Sequence, residues 1–169
     1  MPKLWGSNTP TDASSKVGKA KLVSVVGAGC AAVLLSCVPQ FEGMVLRGYT
    51  DPIGIVTACA GHTATAVLGK PYTKAECEKL LVDDLVKHAE GVKRCIERPL
   101  PVHQLAAAVS FAFNVGVPRF CGSTFAKKLR ANDPMACAEI SRWTFAGGRE
   151  LPGLVKRRAV ERDMCDGKI

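Results

Sequence analysis

The chain has 169 residues, 47% of them hydrophobic and 22% charged, which is the composition of one ordinary globular domain with a real core. A formal net charge of +8 suits an anionic partner: nucleic acid, a membrane face or a cell-wall polymer. Only 6% of residues are aromatic, and no basic stripe interleaves with them, so nucleic acid is set aside.

Residues 1–15 are polar, with Gly6, Ser7, Asn8, Pro10, Ser14 and Ser15, and are expected to form a disordered tail. Lys16, Lys19 and Lys21 follow. Leu22 to Val38 (LVSVVGAGCAAVLLSCV) then runs for 17 residues without a charge. This reads as a membrane-directed segment whose start the lysines hold on the cytoplasmic side. It is at the short end for a span, and Gly27, Gly29, small residues and two cysteines dilute its hydrophobicity. Competing readings are a cleaved signal peptide, for which no compelling small-residue site follows, a lipoprotein signal at Leu34-Leu35-Ser36-Cys37, and a buried core helix. A segment that first spans the membrane and later leaves it reconciles anchor with core helix. Glu42 lies only four residues beyond Val38, so cleavage near it would remove the helix that should position it. The expected organisation is a basic polar tail over 1–21, the anchor-and-release segment with the N-terminal helix over 22–40, and a catalytic domain over 41–169.

Phe41 to Thr63 (FEGMVLRGYTDPIGIVTACAGHT) carries the chemistry. Eight residues separate Glu42 from Asp51, and five separate Asp51 from Thr57. Gly48, Pro52 and Gly54 interrupt the stretch, which suits a helix end running into a short β-hairpin that folds the second acid back towards the first. Breaking a glycosidic bond takes one protonated carboxyl and one ionised carboxylate in different environments. Glu42 follows an apolar run and Phe41, where burial would disfavour its charged form. Asp51 sits in a turn, where solvent and backbone donors would keep it charged. Thr57 could orient the water. Taken singly, a Glu before Gly or an Asp before Pro is more often a cap or a turn residue.

Glu-Gly, Tyr-x-Asp-Pro-x-Gly, Thr and Gly-His-Thr, in that order and spacing, resemble the phage-type lysozymes, glycoside hydrolase family 24. The likeness continues through FAFNVG (111–116), the STFAKKL core (123–129) and GLVKRRAVE (153–161). The resemblance implies an α+β, lysozyme-like fold, with a mostly helical lobe, a small β-hairpin lobe and the active site between them. It implies an endolysin that hydrolyses the β-1,4 bond between N-acetylmuramic acid and N-acetylglucosamine in peptidoglycan, by inversion, and lyses the host cell. Glu42 would be the general acid, Asp51 the base or electrostatic partner, Thr57 the water-positioning hydroxyl, and Asn114 a glycan-binding amide of the cleft, or else a helix-end cap. His62, five residues after Thr57, is expected in a structural ion pair. A signal-anchor-release endolysin would sit inactive in the host inner membrane and then act in the periplasm. No cofactor, metal or nucleic acid is expected, and the enzyme should be a monomer whose partners are peptidoglycan and, before release, the inner membrane. The alternatives are a lytic transglycosylase, which needs the acid but not Asp51, and a catalytically silent membrane-tethered wall-binding protein. One departure from the family pattern is Cys59 beside the site.

Downstream, Thr73-Lys-Ala-Glu76 reads as a capping box. Cys77, Leu81, Leu85 and Ala89 recur every four residues and predict a helix to about Cys95, ended by Pro99 and Pro101. A second helix should run from His103 to Val115, a short one from Ser123 to about Arg130, another from Asp133-Pro134 to about Arg142, and a last one from Gly153 to Cys165 after a Gly147-Gly148 loop. Lys156, Arg157, Arg158 and Arg162 would give the last helix a basic face. The histidines and cysteines show no zinc-site spacing. Eight cysteines in an exported chain point to disulfides. Cys30 and Cys37 would lie roughly 10 Å apart along a helix, beyond the reach of a direct bridge, so each should pair with the domain or with nothing. Exchange between a released Cys30 or Cys37 and the bond made by Cys59 would offer a regulatory switch, against the plainer reading of stabilising bridges. The other six cysteines allow 15 connectivities.

Overall fold

The computed structural model describes residues 10–51 and 54–169, with side chains from residue 13 onward. Pro52 and residues 1–9 lie outside the described residues. The element order is α1 (Pro10–Val26), α2 (Ala28–Glu42), β1 (Val45–Thr50), β2 (Val56–Cys59), α3 (Lys74–Ile96), α4 (Val102–Val115), α5 (Val117–Cys121), α6 (Thr124–Arg130), a 3-10 helix (Cys137–Arg142), β3 (Phe145–Ala146), β4 (Arg149–Glu150) and α7 (Pro152–Cys165). This is the expected mostly helical lobe with a small antiparallel hairpin lobe.

The N-terminal region differs from expectation in two ways. Residues 10–15 are the first turns of α1 rather than part of a disordered tail. The uncharged run is not one helix either, because Gly27 takes φ +81° and ψ 159°, a conformation essentially confined to glycine, and breaks it between α1 and α2. Among the described residues no helix is long and apolar enough to cross a membrane. Leu22, Val26, Cys30, Leu34 and Val38, each four residues from the next, are instead buried in the main core. Each buried side chain of this size contributes roughly 1.5–3 kcal/mol.

α3 is the long axis of that core, opened by the expected capping box. Thr73 Oγ1 accepts from the Glu76 N–H at 3.1 Å, and the Thr73 N–H donates to Glu76 Oε2 at 2.7 Å. That backbone hydrogen bond holds the Glu76 carboxyl below its ordinary value. Its buried face carries Cys77, Leu81, Leu85, Ala89 and Val92, and packs with α4, whose residues Ala106 to Ala112 are buried all round. Phe111, Phe120 and Phe125 close the core edge to face, with centroids 5.5–6.3 Å apart. Ser123 caps α6 through the Ala126 N–H as expected. Asp133-Pro134 does not open an α-helix. The Asp133 side chain accepts from the Met135 N–H at 2.7 Å and its carbonyl from the Ala136 N–H at 3.0 Å, a local turn that passes into the 3-10 helix. Gly147-Gly148 is the two-residue turn of hairpin β3–β4.

Three disulfides link neighbours in sequence: Cys59–Cys77, Cys95–Cys121 and Cys137–Cys165. They tie β2 to α3, α3 to α5, and the 3-10 helix to α7. Among the described residues Cys30 and Cys37 are free thiols, Cys30 fully buried.

Candidate active site

Glu42 is the last residue of α2, where Gly43 ends the helix. Its side chain is 17% exposed and opens on a cavity of about 690 Å³ lined also by Gln40, Asn114, Leu151, Lys156 and Arg157. The environment is not the apolar pocket that the sequence suggested. Arg157 Nη1 donates to Glu42 Oε1 in a close ion pair, and the same guanidinium lies 4.8 Å from the Phe41 ring. Gly61 faces the other oxygen. A methyl group there would lie 3.3 Å from Glu42 Oε2, so the turn after β2 can approach the acid because it carries glycine.

Arg157 is itself held on three sides. Its Nε donates to Glu161 Oε1 at 2.9 Å and its Nη2 to the Ser110 carbonyl at 3.1 Å. Glu161, fully buried, also accepts from Ser110 Oγ at 2.7 Å and from Arg158 Nη1. Arg158 donates further from Nε to the Trp143 carbonyl at 3.0 Å and from Nη2 to Asn114 Oδ1. Burial pulls Arg158 below its usual range, while Glu161 opposes that pull. Arg157 and Arg158 therefore do not belong to a solvated basic face. A buried charge persists where it is paired and hydrogen-bonded, and Glu161 pairs both arginines. The signal in the sequence was Glu161 itself, three and four residues after the two arginines on one helix.

The hairpin holds Asp51 and Thr57. β1 and β2 pair with Tyr49 opposite Thr57 and Thr50 opposite Val56. Asp51 follows β1 and closes the turn. Its Oδ1 accepts from the Ile55 N–H at 2.8 Å, and its own N–H donates to the Ile55 carbonyl at 2.9 Å. Thr57 is buried, its hydroxyl donating to the Ile55 carbonyl at 3.2 Å. Glu42 and Asn114 thus share the cavity wall, whereas Asp51 and Thr57 share the hairpin, which meets Glu42 through the Gly61 turn.

That turn is fastened from behind. The Ala58 N–H and His62 carbonyl, and the His62 N–H and Ala58 carbonyl, pair at 2.9 Å each. His62 is buried, with Nδ1 2.6 Å from Asp84 Oδ2 on α3. The Thr65 N–H, which can only donate, lies 3.1 Å from Nε2, so Nδ1 carries the proton towards Asp84. Cys59, at φ +57°, is bonded to Cys77, pinning the same turn to the start of α3. Among the described residues no group of three or more His, Cys, Asp or Glu could hold a metal ion.

An acid at a helix end on the wall of an open cavity, with a hairpin carrying a second acid beside it, defines a lysozyme-like hydrolase. The phage lysozyme family model matches residues 39–161, and the chain belongs to that family. It is 41% identical over 126 residues to the SAR-endolysin of Bacteriophage PS119, covering 73% of this chain and 75% of that protein. Among solved structures, the muramidase domain of SpmX from Asticcacaulis excentricus superposes with a TM-score of 0.72 at 28% identity, over 78% of this chain and 93% of that one. The active form of the P1 phage endolysin Lyz shares the fold over 98% of both chains, with a TM-score of 0.68 at 20% identity. The chain is accordingly a phage endolysin that hydrolyses peptidoglycan.

Proposed function

We propose that the enzyme cleaves the β-1,4 bond between N-acetylmuramic acid and N-acetylglucosamine, with Glu42 as general acid. The observation that carries this reading is the placement of Glu42 on the wall of the 690 Å³ cavity, with one oxygen engaged by Arg157. Oε2, on the Gly61 side, is then the oxygen that hands a proton to the leaving glycosidic oxygen. Asp51, fixed in its turn by Ile55, serves as base or electrostatic partner. The Thr57 hydroxyl spends its proton on Ile55 and keeps its lone pairs for the proton of an attacking water. Asn114 contacts the glycan. Glu42→Gln should cut wall hydrolysis by at least about two orders of magnitude with the fold retained. Near-normal turnover by the folded variant rules the assignment out. Product analysis should find reducing N-acetylmuramic acid ends. A 1,6-anhydro end would mark a lytic transglycosylase instead.

We further propose that Leu22 to Val38 first spans the host inner membrane and then leaves it to form the end of α1 and α2. The uncharged run behind three lysines and the names of the relatives support this. Dissipating the membrane potential should move the chain from the membrane to the soluble fraction at unchanged length. A soluble product shortened to begin near residue 37 would indicate signal cleavage instead.

A further inference from the structure

Arg158 is fully buried, yet its guanidinium is aimed at Asn114, an exposed amide of the cavity wall. Three of its donors are fixed: Nε on the Trp143 carbonyl, Nη1 on Glu161 Oε2 and Nη2 on Asn114 Oδ1. Its face lies 4.6 Å from the Phe111 ring. An arginine has donors only. The amide atom of Asn114 turned towards it must therefore be the oxygen, since the flipped amide would set NH2 against N–H. Asn114 stands between two cavities, the 690 Å³ one that holds Glu42 and a neighbouring one of about 240 Å³. Arg158 lines only the smaller one. With the oxygen pulled to the Arg158 side, the NH2 is left for the Glu42 side.

We propose that Arg158 is a positioning residue for glycan recognition: it locks Asn114 so that the cleft presents an N–H donor, which selects an acceptor oxygen on the sugar, the acetamido carbonyl or a ring hydroxyl. This rests on the cavity being the glycan site, as read above. A lysine could not replace the arginine, because a single ammonium cannot reach Trp143, Glu161 and Asn114 in three directions at once.

The test compares Asn114→Asp, Asn114→Ala, Arg158→Lys and the double variant Arg158→Lys/Asn114→Ala on soluble peptidoglycan glycan strands. KM and kcat are measured in the otherwise wild-type enzyme. The dissociation constant of the same strands is measured in the Glu42→Gln background, with thermal unfolding recorded for every variant. Asn114→Asp keeps the acceptor for Arg158 but has no N–H. It should raise KM and the dissociation constant about tenfold, the effect of one lost hydrogen bond, with kcat within about twofold. Arg158→Lys should match it, and the double variant should bind no worse than Asn114→Ala alone. Wild-type affinity in Asn114→Asp overturns the proposal, as does an Arg158→Lys penalty undiminished in the Asn114→Ala background. Should Arg158→Lys not fold, the side-chain NH2 resonances of Asn114 in the Glu42→Gln protein decide: they should shift on adding strands, and unmoved signals overturn the proposal. Strands that bind but are never cleaved by the wild type would overturn the muramidase reading alone, and the binding constants would still test Arg158.

Discussion

Glu42 and Arg157 form one pair but come from helices built on opposite terms. α2, which ends in Glu42, is seated by apolar burial: Cys30, Ala31, Leu34 and Val38 face the core, and no disulfide holds it. α7, which carries Arg157, is seated by a buried charge network and by Cys137–Cys165. All three disulfides lie at or beyond residue 59, so lifting α1 and α2 away breaks no covalent bond. The acid therefore rides on a helix that no disulfide holds, and its partner on one that a disulfide does. Activity should depend on the seating of the N-terminal helices and on the Arg157 network that meets them, and less on the disulfides.

The contrast can be broken most severely from the α7 side. Arg157→Met removes the cation shared by Glu42 and Glu161, and breaking a buried ion pair by removing one partner costs about 3–5 kcal/mol. The urea midpoint should fall accordingly, and activity with it. Opening Cys137–Cys165 by a double serine substitution should cost about 2–5 kcal/mol but leave α2 in place, so specific activity of the folded fraction should hold. Leu34→Ala should cost about 2–5 kcal/mol through a core cavity. Here hydrogen exchange should quicken first in α1 and α2, ahead of α3 to α7. Equal acceleration throughout would mean the two helices are not separately seated. Smaller again is Gly27→Ala, at about 1–3 kcal/mol. No atom stands within 4 Å of the added methyl, so the cost is backbone strain alone and should appear as a small fall in the urea midpoint.

The same division explains what the sequence disclosed. Features set by neighbours along the chain were readable: the Thr73–Glu76 box, the four-residue period of α3, the Ser123 cap and the helix-to-hairpin passage after Glu42. Apart from the ion pair expected of His62, which meets Asp84, features set by distant partners were not. Arg157 meets Glu42 115 positions away and Arg158 meets Asn114 44 away, so a helix wheel alone shows four cations and suggests solvent. Glu42 and Asn114 were recognisable by motif. Their orientation was not, because it is fixed by two buried arginines from the opposite end of the chain. Gly27 was counted as a dilution of the apolar run, whereas its positive φ is what divides the run in two.

The finest probe of the comparison uses the two thiols of α2. Burial pushes the Cys30 thiol up to about 12. Since the thiolate is the nucleophile, and forms only as pH approaches that value, Cys30 should stay unreactive at pH 8 while α2 is seated. Cys37, half-buried, should be labelled by an alkylating reagent under the same conditions. The native chain should therefore take up one label, and Cys30 should react only as fast as α2 unseats, with Leu34→Ala speeding Cys30 and leaving Cys37 nearly unchanged. This bears on the exchange suggested by the cysteine count. A protonated, buried Cys30 is a poor nucleophile towards Cys59–Cys77, so any exchange involving it requires α2 to be unseated. Labelling of Cys30 and Cys37 at equal rates in the folded protein would show α2 to be no better held than the solvent-facing surface, and the contrast between the two helices would fall with it.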